Sequence, residues 1–259
     1  MKCYNVIEFM RKIAPERYAF DWDNPGLQCG RRDKDVERVF VAVDATERVI
    51  KEAKNCQADM LITHHPLIFK GINNVNSTNF IGRRLLNLIG SDISYYAMHT
   101  NFDITVMGEY AADYLRLSHR DVLEVTLEEN GIEKGIGVCG RLPFDMTLRD
   151  CGEYVKNCFG LDSVKIFGDL SRHISYAAVS PGSGKGMSDV AVKKGVEVLI
   201  TGDIDHHEGI DAVAKDLCII DAGHYGIEYI FVSYITEYLR KNTDLEVHGE
   251  EFVNPFNII

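Results

Sequence analysis

The chain has 259 residues, with 28 Lys and Arg against 39 Asp and Glu, a formal net charge of −11. Its apolar fraction of 46% and charged fraction of 26% are those of a globular protein and exclude intrinsic disorder and collagen-like structure. No apolar run approaches the ~20 residues of a membrane-spanning helix. The start at Met1-Lys2-Cys3-Tyr4-Asn5 leads into an amphipathic stretch rather than a signal peptide. The expectation is a cytoplasmic protein with no membrane partner. A nucleic-acid partner stays possible but is unsupported by charge, because a sequence-independent grip on phosphates needs clustered Lys and Arg.

The seven cysteines do not read as a disulfide scaffold. Their count is odd, no CxxC pair occurs, and Cys56, Cys139, Cys158 and Cys218 sit inside apolar-periodic segments, as reduced thiols do.

In chain order, Val6, Ile7, Phe9, Met10 and Ile13 recur at helical spacing, and Pro15 closes that helix. Residues 38–44 read as a buried strand, after which Thr46 caps a helix carrying Val49, Ile50 and Ala53. Met60–Thr63 is a second strand, 93–98 a third, 109–117 a helix and 122–127 a strand. The polar, Gly-containing stretch 128–135 marks the expected domain junction. Beyond it the pattern repeats: a strand over 174–180, a Gly-rich turn, a helix over 186–194, and the strand 196–201. Both Met60-Leu61-Ile62-Thr63 and Val198-Leu199-Ile200-Thr201 end on Leu-Ile-Thr, and both Met98-His99 and Gly223-His224 bring a strand to a histidine. The alternation predicts an α/β fold built from two similar halves by internal duplication. Ligands of open α/β sheets bind at the carboxyl ends of strands.

Those ends carry the chemistry. His64 and His65 come directly after the second strand and precede Pro66. Neighbours on an extended backbone point to opposite faces, so this pair could give one imidazole to each of two ions rather than chelate one. His99 and Asp103 lie four residues apart after the next strand. His224 and Glu228 stand at i and i+4, on one face of the helix that comes after the strand ending at Asp221. Imidazole and carboxylate ligands suit zinc, iron or manganese. A carboxylate bridging two ions ~3.5–4 Å apart leaves open positions for a water nucleophile. Taken one by one, these side chains also read as a solvated turn histidine or as an acid favoured in a first helical turn.

Four ordered motifs, Trp22-Asp23-Asn24-Pro25-Gly26-Leu27-Gln28, Thr63-His64-His65-Pro66, His99-Thr100-Asn101-Phe102-Asp103 and Gly223-His224-Tyr225-Gly226-Ile227-Glu228, resemble the NGG-interacting factor three-like family, commonly named GTP cyclohydrolase 1 type 2 homologues. The resemblance runs from the first helix to the last. It implies a duplicated, intertwined α/β fold with a dinuclear metal cleft between the halves, and assembly into a toroidal homo-hexamer. By matching motifs, the metal ligands fall on His64, His65, Asp103, His224 and Glu228, with Glu228 touching both ions. The expected halves are 1–127, completed by the C-terminal helix and strand within 229–259, and 128–228.

Pro181-Gly182-Ser183-Gly184-Lys185-Gly186 resembles a phosphate-binding loop but lacks the Walker spacing, with Val179 and Gly186 where Gly and Ser or Thr would stand. A strand running through glycines into a helix still offers backbone N–H groups to an anion. Thr201–His207 occupies the position equivalent to the His64 strand end, so His206 or His207 is a candidate general acid or base. His99 is a third candidate, orienting Asp103 or polarising water. The loop of Trp22, Asn24 and Gln28 reads as cleft shaping or subunit contact. The expected function is a dinuclear-metal-dependent hydrolase acting on a small molecule, with a nucleotide implied by the family name. The alternative is a metal-binding regulatory or interaction protein without turnover.

Overall fold

Helix α1 (Cys3–Ile13) buries Cys3, Val6, Ile7 and Met10, one stripe at helical spacing, and stops ahead of Pro15. Strands β1 (Gly26–Cys29) and β2 (Arg38–Ala42) come next. The Thr46 hydroxyl accepts the Val49 N–H and starts α2 (Glu47–Asn55), as its sequence position predicts. Strand β3 (Met60–Thr63), helix α3 (Phe80–Gly90), strand β4 (Ser94–Ala97) and the single turn α4 (Thr100–Phe102) complete this stretch. The computed structural model describes all residues, 1–259.

After a π-helical turn, Asp103–Met107, come α5 (Gly108–Tyr114) and the long strands β5 (Ser118–Glu129) and β6 (Ile132–Thr147). The chain continues through α6 (Leu148–Phe159), β7 (Lys165–Phe167), β8 (His173–Ser183), α7 (Met187–Lys193), β9 (Val198–Gly202), α8 (His206–Ala214) and β10 (Cys218–Asp221). It closes with α9 (His224–Glu228), α10 (Ile230–Asn242) and β11 (Glu246–Gly249). No helix is long and apolar enough to cross a membrane.

The elements sort into two units, one of residues 1–102 and 231–253, the other of residues 103–230 and 254–259. The first holds a five-stranded sheet in the order β1-β4-β3-β2-β11, with β1 antiparallel and the rest parallel. Its core packs Phe40, Val49, Ile50, Leu61, Leu85, Leu88 and Tyr95. The second holds a six-stranded sheet in the order β5-β6-β8-β9-β10-β7, in which β8, β9 and β10 run parallel. Leu123, Cys139, Ala178, Met187, Leu199 and Ile219 lie in its core.

The duplication is legible element by element. A helix, an antiparallel outer strand, then three parallel strands joined by two helices run as α1-β1-β2-α2-β3-α3-β4 in one unit and α6-β7-β8-α7-β9-α8-β10 in the other. In both, the outer strand pairs with the last of the three parallel strands. The strands C-terminal to each repeat join the opposite sheet: β5 and β6 extend the second, and β11 joins β2 in the first. The two α/β halves are therefore interleaved along the chain.

The polar stretch 128–135 is not a junction. It is the tip of the β5–β6 hairpin, where Asn130 and Gly131, both left-handed (φ 55° and 76°), make the two-residue turn between paired Glu129 and Ile132. An Asn-Gly pair is the favoured chemistry for such a turn, because both central residues need positive φ. The boundary of the first unit falls at Phe102/Asp103, ahead of this hairpin, rather than at residue 127.

Candidate metal centre

In the first unit the chain leaves β3 at Thr63 and bends at once, the His64 and His65 N–H groups bonding to the carbonyls of Ala42 and Val43. The Thr63 and Tyr95 hydroxyls both donate to the His65 carbonyl at 2.8 Å and fix the bend. Because extended backbone ends at Thr63, the two side chains do not diverge. Their ring centroids are 4.8 Å apart, and one ligand atom from each of His64, His65 and His99 falls in a group no wider than 4.8 Å.

A common device orients these rings. His64 Nδ1 meets the Met98 carbonyl at 2.8 Å, His65 Nδ1 meets Asp44 Oδ1 at 2.9 Å, and His99 Nδ1 meets Asp23 Oδ1 at 2.8 Å. A carbonyl or carboxylate oxygen only accepts, so each Nδ1 carries a hydrogen. Histidine ligands to metals are typically held in this way, with the outer acceptor fixing tautomer and ring orientation. Asp23 also accepts from the Thr100 N–H and hydroxyl at 3.0 and 2.6 Å. Burial opposes its ionisation, but the hydrogen bonds from His99 and Thr100 prevail and hold the carboxyl down at about 2. His99 is thus oriented by Asp23.

In the second unit, α9 places His224 Nε2 3.2 Å from Glu228 Oε2, the i, i+4 face read from the sequence. His224 Nδ1 bonds to Asp203 Oδ2 at 2.7 Å, so a fourth histidine has the same orientation, with a carboxylate behind it. Glu228 is buried, and Gly182 makes room for it: a Cβ there would stand 2.4 Å from Glu228 Oε1, on a backbone with φ +83°. Asp103 opens the π-helical turn and is half-buried.

His206 and His207 form the exposed first turn of α8, their rings 5.2 Å apart. The residue of that loop that reaches His224 is Asp203. Two N–H groups of the Gly-rich turn bond within the protein itself. Gly184 N–H bonds to the Gly202 carbonyl, and Gly186 N–H bonds to Glu208 Oε1 at 2.7 Å, an oxygen that also accepts from the Ser188 hydroxyl. The carboxylate at this turn is that of Glu208, an anion of the chain itself. A cavity of about 720 Å³ in the same unit borders Asp203, Gly223 and Gly226, with Leu161, Ile204 and Phe256 among its apolar walls.

Asp44, Asp23 and Asp203, the carboxylates bonded to these imidazoles, are not singled out in the sequence. Asp44 lies just beyond β2, whose neighbour β3 leads to His64, while Asp23 belongs to the Trp22–Gln28 motif and Asp203 to the 201–207 loop. A carboxylate beside a strand end that carries histidine is the pattern that points to them.

The chain matches the Duf34/NIF3 (NGG1p interacting factor 3) family over residues 1–254. It is 31% identical to a GTP cyclohydrolase 1 type 2 homolog of Clostridium perfringens, with both chains covered completely. A homolog of the same name from Streptococcus pneumoniae is 34% identical, over 93% of this chain and 91% of that one. Among solved structures, a Bacillus cereus protein related to NIF3 superposes with a TM-score of 0.94 at 22% identity, covering 100% of this chain and 99% of that one. Reduced HcgD from Methanocaldococcus jannaschii gives 0.83 at 30% identity, over 97% and 98% of the two chains. The chain belongs to the Duf34/NIF3 family.

Proposed function

We propose that the protein is a dinuclear-metal-dependent hydrolase acting on a nucleotide. The observation that carries the reading is the shared orientation of four histidines, each with Nδ1 bonded to a carboxylate or carbonyl. That donor set, with the Glu228 carboxylate, fits divalent zinc, iron or manganese. The proposed ligands are His64, His65, Asp103, His224 and Glu228, with Glu228 shared between two ions. When bound, the ions would supply Lewis-acid polarisation of the attacked group and acidify a water.

The chain's own residues then bind, orient and move protons. Asp44, Asp23 and Asp203 hold their imidazoles at fixed angles. His99 is the proposed proton carrier, because its Nδ1 is fixed on the Asp23 carboxylate, which is held low and so orients the ring without itself taking the proton. His206 and His207, exposed at the start of α8, are the alternative carriers to the leaving group. The nucleotide assignment, with ring opening of a purine as the step, is supported by the names of the relatives, and phosphoester hydrolysis would use the same metal machinery.

The test is elemental analysis of protein purified without chelators, followed by a nucleotide panel assayed with each ion. Up to two ions per chain are expected. Glu228→Ala should lose both and Asp103→Ala mainly one. Replacing the true proton carrier by Ala should lower turnover by roughly 10²–10⁴-fold with metal content unchanged. Full occupancy in Glu228→Ala overturns the ligand assignment, and metal without turnover on any nucleotide favours the regulatory alternative.

A further inference from the structure

Trp22 is the chain's only tryptophan and is 58% exposed; Phe69, 5.8 Å from it, is 44% exposed. Scattered exposed apolar residues are ordinary, but these two rings converge on one imidazole. His99 lies 6.0 Å from Trp22 and 6.1 Å from Phe69, and 5.4 and 5.5 Å from His64 and His65. Its plane is steeply inclined to all four, between 69° and 73°. His99 therefore joins an exposed pair of aromatic rings to the pair of candidate ligands.

The two aromatics are held in place. Asn24 Nδ2 donates to the Ile68 carbonyl at 2.6 Å, and the Ile68 N–H donates to Gln28 Oε1 at 3.1 Å, so the residues beside Trp22 and Phe69 are tied to each other. Gln28 Nε2 closes the loop on the Asn24 carbonyl, and the Asp23 carboxylate, with its side chain fully buried, anchors it to Thr100. Phe20 stacks on Trp22 at 5.6 Å and 24°, which backs the indole while more than half of the residue stays open. The ordering cost of a stacking surface is thus met in the free protein, the condition under which an aromatic face binds well.

We infer that Trp22 and Phe69 form the stacking wall for a planar nitrogen heterocycle, presenting its ring edge toward His99. This deepens the nucleotide reading and rests on it: the base, rather than the phosphates, is the part of the substrate gripped next to the His64–His65–His99 cluster. Stacking tolerates any flat π-system, so this wall selects a class and not a particular base.

A single tryptophan makes the wall its own reporter. Guanosine, adenosine and a pterin are titrated into the metal-loaded protein, with emission excited at the red edge of indole absorption. Ribose 5-phosphate and inorganic triphosphate serve as the non-aromatic controls. Saturable quenching by at least one heterocycle and by neither control is expected. Phe69→Ala should weaken that binding about tenfold, within the range for losing one base–aromatic stack. By calorimetry, Trp22→Leu should lose tenfold or more and Trp22→Phe should recover most of it, with metal content unchanged in all three variants. Equal quenching by the controls, no quenching by any heterocycle, unchanged heterocycle binding by Trp22→Leu, or emission that responds only to protein concentration would each overturn the inference; the last assigns the rings to a subunit contact. Quenching that persists where turnover is absent would sink the hydrolase reading and leave the stacking wall standing.

Discussion

Asp203 accepts a 2.7 Å hydrogen bond from His224 Nδ1 while its own backbone is left-handed, with φ 55°. Asp and Asn are among the few residues with side chains that take this conformation readily. Asp203→Asn therefore keeps the loop and removes only the charge behind His224. Its metal affinity should fall about 10-fold or more, within the 10–100-fold typical of losing an outer partner of a ligand. Asp203→Ala should fall further and also lose stability. Competition titration against a chromophoric chelator separates the two; equal affinity in wild type and Asp203→Asn would show that the carboxylate orients nothing.

Gly182→Ala places a methyl 2.4 Å from Glu228 Oε1 on a backbone with φ +83°. Strain of this kind costs roughly 1–3 kcal/mol. The variant should unfold at lower urea concentration and bind less metal, because the carboxylate must move. A variant with full metal content and unchanged stability would show that Gly182 is not the wall behind Glu228.

Two glutamates in the first unit respond to pH with opposite sign. For Glu16, burial favours the neutral form, but two hydrogen bonds from Arg11 Nε at 3.0 and 2.8 Å prevail, and the pKa is lowered from the ordinary 4.5. Its stabilising contribution is present above that ordinary value and is lost as pH falls through the lowered one. For Glu250, burial prevails over the Val43 N–H and Arg48, both at 2.7 Å, and the pKa is raised. Its contribution is complete below 4.5 and is lost as pH rises through the raised value. Across a pH series of denaturant titrations, Glu16→Gln should be most destabilised near neutrality and approach wild type in acid. Glu250→Gln should gain on wild type as pH rises. The same trend in both variants would contradict these assignments.

The homo-hexamer that the family resemblance implies predicts a scattering mass six times that of the 29.2 kDa chain at micromolar concentration. A stable monomer under those conditions would refute it.

Much of this is legible in the residues because the duplicated strands end alike. Leu-Ile-Thr at 61–63 and 199–201 marks corresponding parallel strands, and the i, i+4 spacing of His224 and Glu228 already fixes their shared helix face. Helix α3 escapes a reading by periodicity although Asn79 caps it and Leu85 and Leu88 line its buried face, because the exposed Phe80, Leu86 and Ile89 blur the pattern. The Asn130-Gly131 turn passes for a junction when polarity is weighed above turn chemistry. The partners of the histidines are hidden for a different reason. Asp23 and His99 are 76 positions apart, and no local pattern encodes a hydrogen bond that only the completed sheet brings about.

The late return of β11 to β2 sets an order of assembly during synthesis. A ribosome delivers β2 first and must complete the whole second sheet before Glu246–Gly249 emerges to pair with Arg38–Val41. Until then β2 has a bare edge, a template for pairing with any other extended chain. The nascent protein therefore finishes its first sheet last, and the Glu250 carboxylate that seals Val43 and Arg48 arrives with the same closing stroke.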